Sequence, residues 1–269
     1  MIRKIKLTLL TCAVTLVTLL SVNATAGDTL QRVIDFQVLK VGMSGNQPPM
    51  TMTNREGGLM GFDVDLAKAM AIAMNVKLEI KPMPFGELMT ALEEDKIDMV
   101  LSNMSITPER AELVSFVGPY MMSGMSILTK NSVLGSISST EEFNRKDLKL
   151  LALSNSTNAN FVKTVAPEAT LIEVPSYDEG VALLIDGKAD AMVADMTQCV
   201  LAVLRYPDAG LTTLNKPLTV EPVGIAVSKD DAQFFNLVDN YLSAYEKTGV
   251  LTKLRKKWFE DNSWVAALP

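Results

Sequence analysis

The feature that leaves fewest folds open is an alternation of short apolar strands with helical patterns that runs once, breaks, and runs again. In the first run Val38–Met43 reads as a buried strand. Leu66, Ala69, Met70 and Ala73 then fall at helical spacing from Asp63 to about Met74. Val76–Lys81 alternates as a strand, Pro84–Glu93 is helical, and Ile97–Leu101 is a further strand. Thr107-Pro108-Glu109 opens a helix, with a capping hydroxyl, Pro in the first turn and an acid after it. The second run has strands at Lys149–Leu153, Thr170–Val174 and Ala191–Ala194. Its helices are Thr157–Val165, Tyr177–Ile185 and Thr197–Leu204, stopped by Pro167, Asp186-Gly187 and Pro207.

Two such runs predict an α/β fold of two lobes, each an open, mostly parallel sheet flanked by helices. Extended stretches at Ser126–Lys130 and Val223–Ser228 separate the runs, and the helices Asp231–Thr248 and Val250–Glu260 follow the second stretch. The chain therefore crosses out and returns: residues 27–125 and 225–269 form one lobe and 126–224 the other, with two hinge strands between them. Open parallel sheets take ligands at the carboxyl ends of their strands. That directs attention to Ser44–Met50, Phe85, Ser102–Arg110, Ser154–Asn158 and Asp195–Gln198.

Ahead of the first run stands an export leader. Arg3, Lys4 and Lys6 precede an apolar run from Leu7 to Val22, and Ala24-Thr25-Ala26 supplies a small-x-small site, so cleavage is expected after Ala26. Cys12 lies inside the apolar run rather than at the cleavage point, which argues against lipidation. Cleavage leaves one thiol, Cys199, and no internal disulfide. Losing three basic residues from a net charge of −6 leaves −9. That acidity disfavours nucleic acid and anionic membranes, which reward clustered Lys and Arg. Histidine is absent, which removes Ser-His-Asp and Cys-His chemistry and the commonest zinc ligand. There is no phosphate-binding loop of the G-x-x-x-x-G-K-[ST] type and no G-x-G-x-x-G fingerprint. No metal or cofactor is expected.

Three motifs in order narrow the reading: Gly61-Phe62-Asp63-Val64-Asp65-Leu66-Ala67-Lys68-Ala69, Ser105-Ile106-Thr107-Pro108-Glu109-Arg110 and Gly187-Lys188-Ala189-Asp190-Ala191. Together the chain from Val38 to Phe259 resembles the type II periplasmic binding proteins of amino-acid ABC importers. The resemblance implies a monomer that captures an amino-acid-like ligand in the periplasm and hands it to an inner-membrane permease. It places a carboxylate clamp at Arg110, whose planar guanidinium suits two parallel hydrogen bonds. Ser105 matches a hydroxyl that holds the same carboxylate or the ammonium, and Asn103 a position offering mainly a backbone carbonyl. Asp195 matches the partner of the α-ammonium. Thr157 and Asn158 open a helix whose free N–H groups favour an anion. Phe85 matches an aromatic wall. Ser44, Gln47 and Met50 occupy the loop expected to line the ligand's side chain, with Gln198 at the same end. Where binders of cationic amino acids tend to carry an acid, this chain has Ser44, which points to a neutral or polar ligand.

A rival resemblance is to the cyclohexadienyl dehydratases, enzymes of the same fold that aromatise arogenate or prephenate. Their general acid falls at Gln198, whose amide cannot donate a proton as a carboxylic acid does, and a basic side chain of theirs falls at Met125. Both replacements imply binding without turnover.

Overall fold

The computed structural model describes residues 28–131, 134, 140–261 and 263–268. The expected leader and its cleavage site lie outside these. The chain enters with α1 (Asp28–Phe36) and β1 (Val38–Met43), followed by a small meander of β2 (Asn46–Gln47), β3 (Thr51–Thr53) and β4 (Leu59–Met60). Then come α2 (Phe62–Met74), β5 (Lys77–Pro82), α3 (Leu88–Glu93), β6 (Met99–Val100), α4 (Pro108–Ala111) and the long β7 (Ser115–Ser123). β8 (Met125–Thr129) leads into β9 (Lys149–Leu153), α5 (Thr157–Val165), β10 (Thr170–Val174), α6 (Tyr177–Ile185), β11 (Ala191–Asp195), α7 (Met196–Arg205) and β12 (Thr212–Thr213). β13 (Glu221–Val227), α8 (Ala232–Lys247) and α9 (Val250–Arg255) complete the fold.

These strands form two five-stranded sheets, in the orders β5-β1-β6-β13-β7 and β10-β9-β11-β8-β12. The β1–β5 and β1–β6 pairs are parallel, as are β10–β9 and β11–β9. β13 and β8 run antiparallel to their neighbours. The two-lobe α/β architecture expected from the alternation is the one found. Each sheet's reversed strand is one that the chain takes at a crossing. β8 pairs within the second sheet along its whole length. β13 pairs with β7 from its first residue, Glu221 opposite Ser123. From residue 221 the chain runs antiparallel to β7 of the first sheet, with a register shift between Val223 and Ile225.

Local chemistry explains where helices start. Thr107 accepts from the Arg110 amide, Ser156 from Ala159, Ser176 from Glu179 and Asp231 from Phe234, each a side-chain cap on otherwise unpaired N–H groups. The other Asp231 oxygen accepts from Leu30 N at 2.8 Å, fastening α1 to α8. In the first lobe Phe62, Leu66 and Met70 of α2 are fully buried with Leu39, Val41, Ile225 and Phe234. In the second, Leu151, Leu153, Leu184, Met192 and Cys199 are buried together. Burial pushes the Cys199 thiol up to about 12, so it is inert under ordinary conditions.

The two crossings lie side by side. Met125 N donates to Thr219 Oγ1 at 3.0 Å and Leu218 N to Met125 O at 2.7 Å. Between them sits Gly124, where a Cβ would lie 2.3 Å from the Thr219 carbonyl and 2.8 Å from Pro217 Cβ. Only glycine admits this approach of two backbones. Gly124→Val is expected to destabilise the fold by about 1–3 kcal/mol through overpacking, read as a fall in the urea midpoint. An unchanged midpoint would mean that the crossings part freely.

Candidate functional site

The carboxyl ends of β1, β6, β9 and β11 converge on a small polar chamber between the lobes. Gln47, Phe85, Asn103, Ser105 and Arg110 line it from the first lobe, and Thr157, Asn158, Tyr177 and Asp195 from the second. Most residues singled out in the sequence are thus brought together, from segments up to 148 positions apart (Gln47 to Asp195).

Asp195 is central to the polar network. It occupies the cap position of α7 but makes no capping bond; its carboxylate turns into the cleft. Oδ2 accepts from Asn103 Nδ2 across the lobes at 2.6 Å and from Ser123 Oγ at 3.0 Å, and Oδ1 accepts from Asn158 Nδ2 at 3.3 Å. Burial raises the Asp195 carboxyl above its ordinary value, against the pull of the Asn103 and Asn158 bonds. The Asn103 side chain thus faces the chamber, besides the backbone carbonyl expected to serve there. Its backbone is in the left-handed region (φ 51°), and its amide donates to Asp63 Oδ2 at 2.8 Å. Its Nδ2 also reaches Gln47 Oε1 at 3.2 Å.

Arg110 lies on α4, held by the Thr107 cap. Nη1 donates to Ser105 O at 2.8 Å, Nη2 to Asn155 O of the second lobe at 3.3 Å, and the guanidinium lies 5.5 Å from the centre of the Phe85 ring. Burial draws it below its ordinary value, opposed by the charges of Glu221 and Asp195. Phe85 thus presents its face to the arginine as well as a wall to the chamber. Because Ser156 caps α5, the Thr157 hydroxyl is free and donates to Glu221 Oε2 at 2.9 Å; Ser105 Oγ donates to the same oxygen at 2.7 Å.

Three expected contacts fall elsewhere. Met50 is buried in the first-lobe core. The turn in which its N donates to Gln47 O and its O accepts from Asp63 N aims the thioether inward, where a flexible side chain fills a gap. Ser44 stands outside the chamber wall, its Oγ accepting from Gln47 Nε2 and Ser102 Oγ at 3.0 Å each. Gln198 lines a neighbouring pocket with Tyr177, and its Nε2 donates to Pro48 O of the opposite lobe. Leu201 on the same helix joins the first lobe's core. Sequence reasoning missed Glu221, Tyr177, Ser123 and Asp63. Glu221 did carry a signal, a lone acid heading the second crossover strand. Among the described residues no cluster of side chains has the make-up of a metal site.

The model of the bacterial extracellular solute-binding proteins, family 3, matches residues 39–261. The chain belongs to that family. A glutamine-binding protein of an ABC transporter in Bacillus subtilis is 28% identical over 239 residues, covering 87% of this chain and 86% of that one. Cyclohexadienyl dehydratase of Pseudomonas aeruginosa is 27% identical over 231 residues, 86% of each. Among solved structures, an ancestral arginine-binding protein bound to glutamine has a TM-score of 0.78 and 34% identity, covering 84% of this chain and 99% of that one.

Asp63 underlies the site, since it holds the Asn103 amide and accepts from Tyr120 Oη at 2.8 Å. Burial raises its carboxyl from 3.8 to about 7, against both hydrogen bonds. The folded state therefore binds this proton more tightly than the unfolded one. The resulting stability is present below pH 3.8 and is lost as pH rises towards about 7. The melting midpoint of the wild type minus that of Asp63→Asn should shrink across that window. A constant difference would show that the carboxyl does not titrate there.

Proposed function

We propose that this protein is exported by cleavage after Ala26, works in the periplasm as a monomer, and delivers an amino acid with a neutral or polar side chain to an inner-membrane ABC permease. The observation that carries this reading is the placement of Arg110 and Asp195 on opposite lobes around one small chamber. A ligand with an α-carboxylate for Arg110 and an α-ammonium for Asp195 satisfies both only when the lobes are closed, so binding favours closure. Ser105, Asn103, Thr157 and Asn158 complete the polar shell, and Phe85 forms its apolar wall. Burial already disfavours the Asp195 charge, and an incoming ammonium would relieve it.

For the side-chain end, support comes from Gln47, whose uncharged amide lines the chamber and is bonded to Ser44 behind it and to Asn103 beside it. The glutamine bound by the ancestral relative has a side chain of this chemistry.

Calorimetry against the standard amino acids should find a ligand with Kd near micromolar, about −8 kcal/mol. Arg110→Ala should weaken it by at least about 2 kcal/mol, since a buried charged hydrogen bond is lost. Binding that survives Arg110→Ala unchanged would sink the clamp.

The dehydratase relative supports a second reading, turnover of arogenate or prephenate. Against it, the Gln198 amide is engaged with the Pro48 carbonyl, and Met125 is buried in the second-lobe core. Incubation with either compound is expected to yield no phenylalanine or phenylpyruvate above background. Clear product would replace the binding reading.

A further inference from the structure

Helix α7 follows β11 directly and packs on β8 and β12, so it belongs to the second lobe. One of its faces nevertheless crosses the divide. Leu201 is only 7% exposed and is buried in the first-lobe core, in a cluster that also holds Met50, Phe62 and Trp258. One turn earlier, the Gln198 amide is buried and donates to the Pro48 carbonyl of the first lobe. Residues three apart on a helix share a face, so the two attachments act together.

The end of the chain builds the surface that receives this face. A groove between the lobes has Pro49, Trp258, Phe259 and Trp264 on one side and α7, with Leu201, on the other. Trp258 Nε1 donates to Asp65 Oδ2 at 3.0 Å and Trp264 Nε1 to Trp258 O at 3.1 Å. Both indole N–H groups are therefore satisfied within the first lobe, and what the rings turn towards α7 is apolar surface. A leucine is complementary to that surface. Opening the lobes would return Leu201 to water and break the Gln198 bond, and both changes are unfavourable. Pro48, Pro49, Gln198 and Leu201 are not among the residues that line the ligand chamber. Their hold on the opposite lobe is thus separate from whatever the chamber contains.

We propose that Gln198 and Leu201 are positioning residues that form a latch, seated on Pro48 and the C-terminal tryptophans, which holds part of the ligand-free population closed. A ligand that needs the closed form has an apparent Kd equal to its intrinsic value divided by the closed fraction. Loosening the latch therefore weakens every ligand by one common factor. Losing a direct ligand contact instead weakens different ligands by different factors. The inference goes beyond the amino-acid-binding reading, and its first measurement needs no ligand.

Small-angle X-ray scattering of the ligand-free protein compares wild type with Leu201→Ala and Trp264→Ala. The second variant reaches the latch from the opposite lobe and decides the matter if the first does not fold. Both are expected to raise the radius of gyration above the wild-type value. Calorimetry with L-glutamine, L-asparagine and L-arginine follows. For each that the wild type binds, the variants should bind at least fivefold more weakly, by factors agreeing within twofold from one ligand to the next. The double variant should bind no more than about twofold more weakly than the weaker single one, because either change alone empties the latch. An unchanged radius of gyration in both variants, or factors that differ more than threefold between ligands, would overturn the latch and leave the amino-acid reading intact. If the wild type binds none of the three, the amino-acid reading falls and the scattering alone decides the latch.

Discussion

The 2.6 Å hydrogen bond from Asn103 to Asp195 is where the two lobes become one site. Asn103 is held from its own lobe and Asp195 from both. Asp63 grips the Asn103 backbone, and Asn158 and Ser123 share the Asp195 carboxylate. A buried charge is tolerated only where partners replace water, and Asp195 finds those partners on both lobes. The rest of the cleft follows from the same demand. Arg110 reaches the Asn155 carbonyl, Gln198 reaches Pro48, and Glu221 collects one hydroxyl from each lobe.

These bonds bear on how a ligand would act. They all join the two lobes, and on the proposed reading a ligand that bridges Arg110 and Asp195 would add to them. The groups it meets are unevenly matched. Asp195 and Asn158 Oδ1 are acceptors, and Arg110 supplies positive charge. A zwitterion is complementary to that wall. On the proposed reading side-chain selectivity falls to the Gln47 end, where the groups are neutral and hydrogen-bonded among themselves.

Much of this was legible in the sequence because local rules and tertiary demands agreed. The strands Lys149–Leu153 and Thr170–Val174 and the helices Thr157–Val165 and Tyr177–Ile185 fall where spacing and stop signals put them. Thr107, Pro108 and Arg110 likewise occupy the cap, first turn and last turn of α4. What escaped was decided by distance in sequence. β7 and β13 carry Pro119 and Pro222, and their ladder pairs residues about a hundred positions apart, so neither showed its full length. Glu221 and Tyr177 join the site only through long-range packing. Met50 and Gln198 lie on the expected loop and helix, but their rotamers send one into the core and the other to the opposite lobe. A resemblance identifies positions; which face of the local turn a side chain takes is set by its neighbours.

The buried thiol has a practical consequence. The two cysteines of the chain are Cys12, in the segment proposed to be removed on export, and Cys199, sealed inside the second lobe with its thiol 3.8 Å from the Ala194 carbonyl. A mature chain would therefore carry no reactive sulfhydryl on its surface. Cysteines introduced on the two rims would take maleimide dyes with no background to engineer away. Energy transfer between such dyes would report the cleft angle of single molecules as they open and shut.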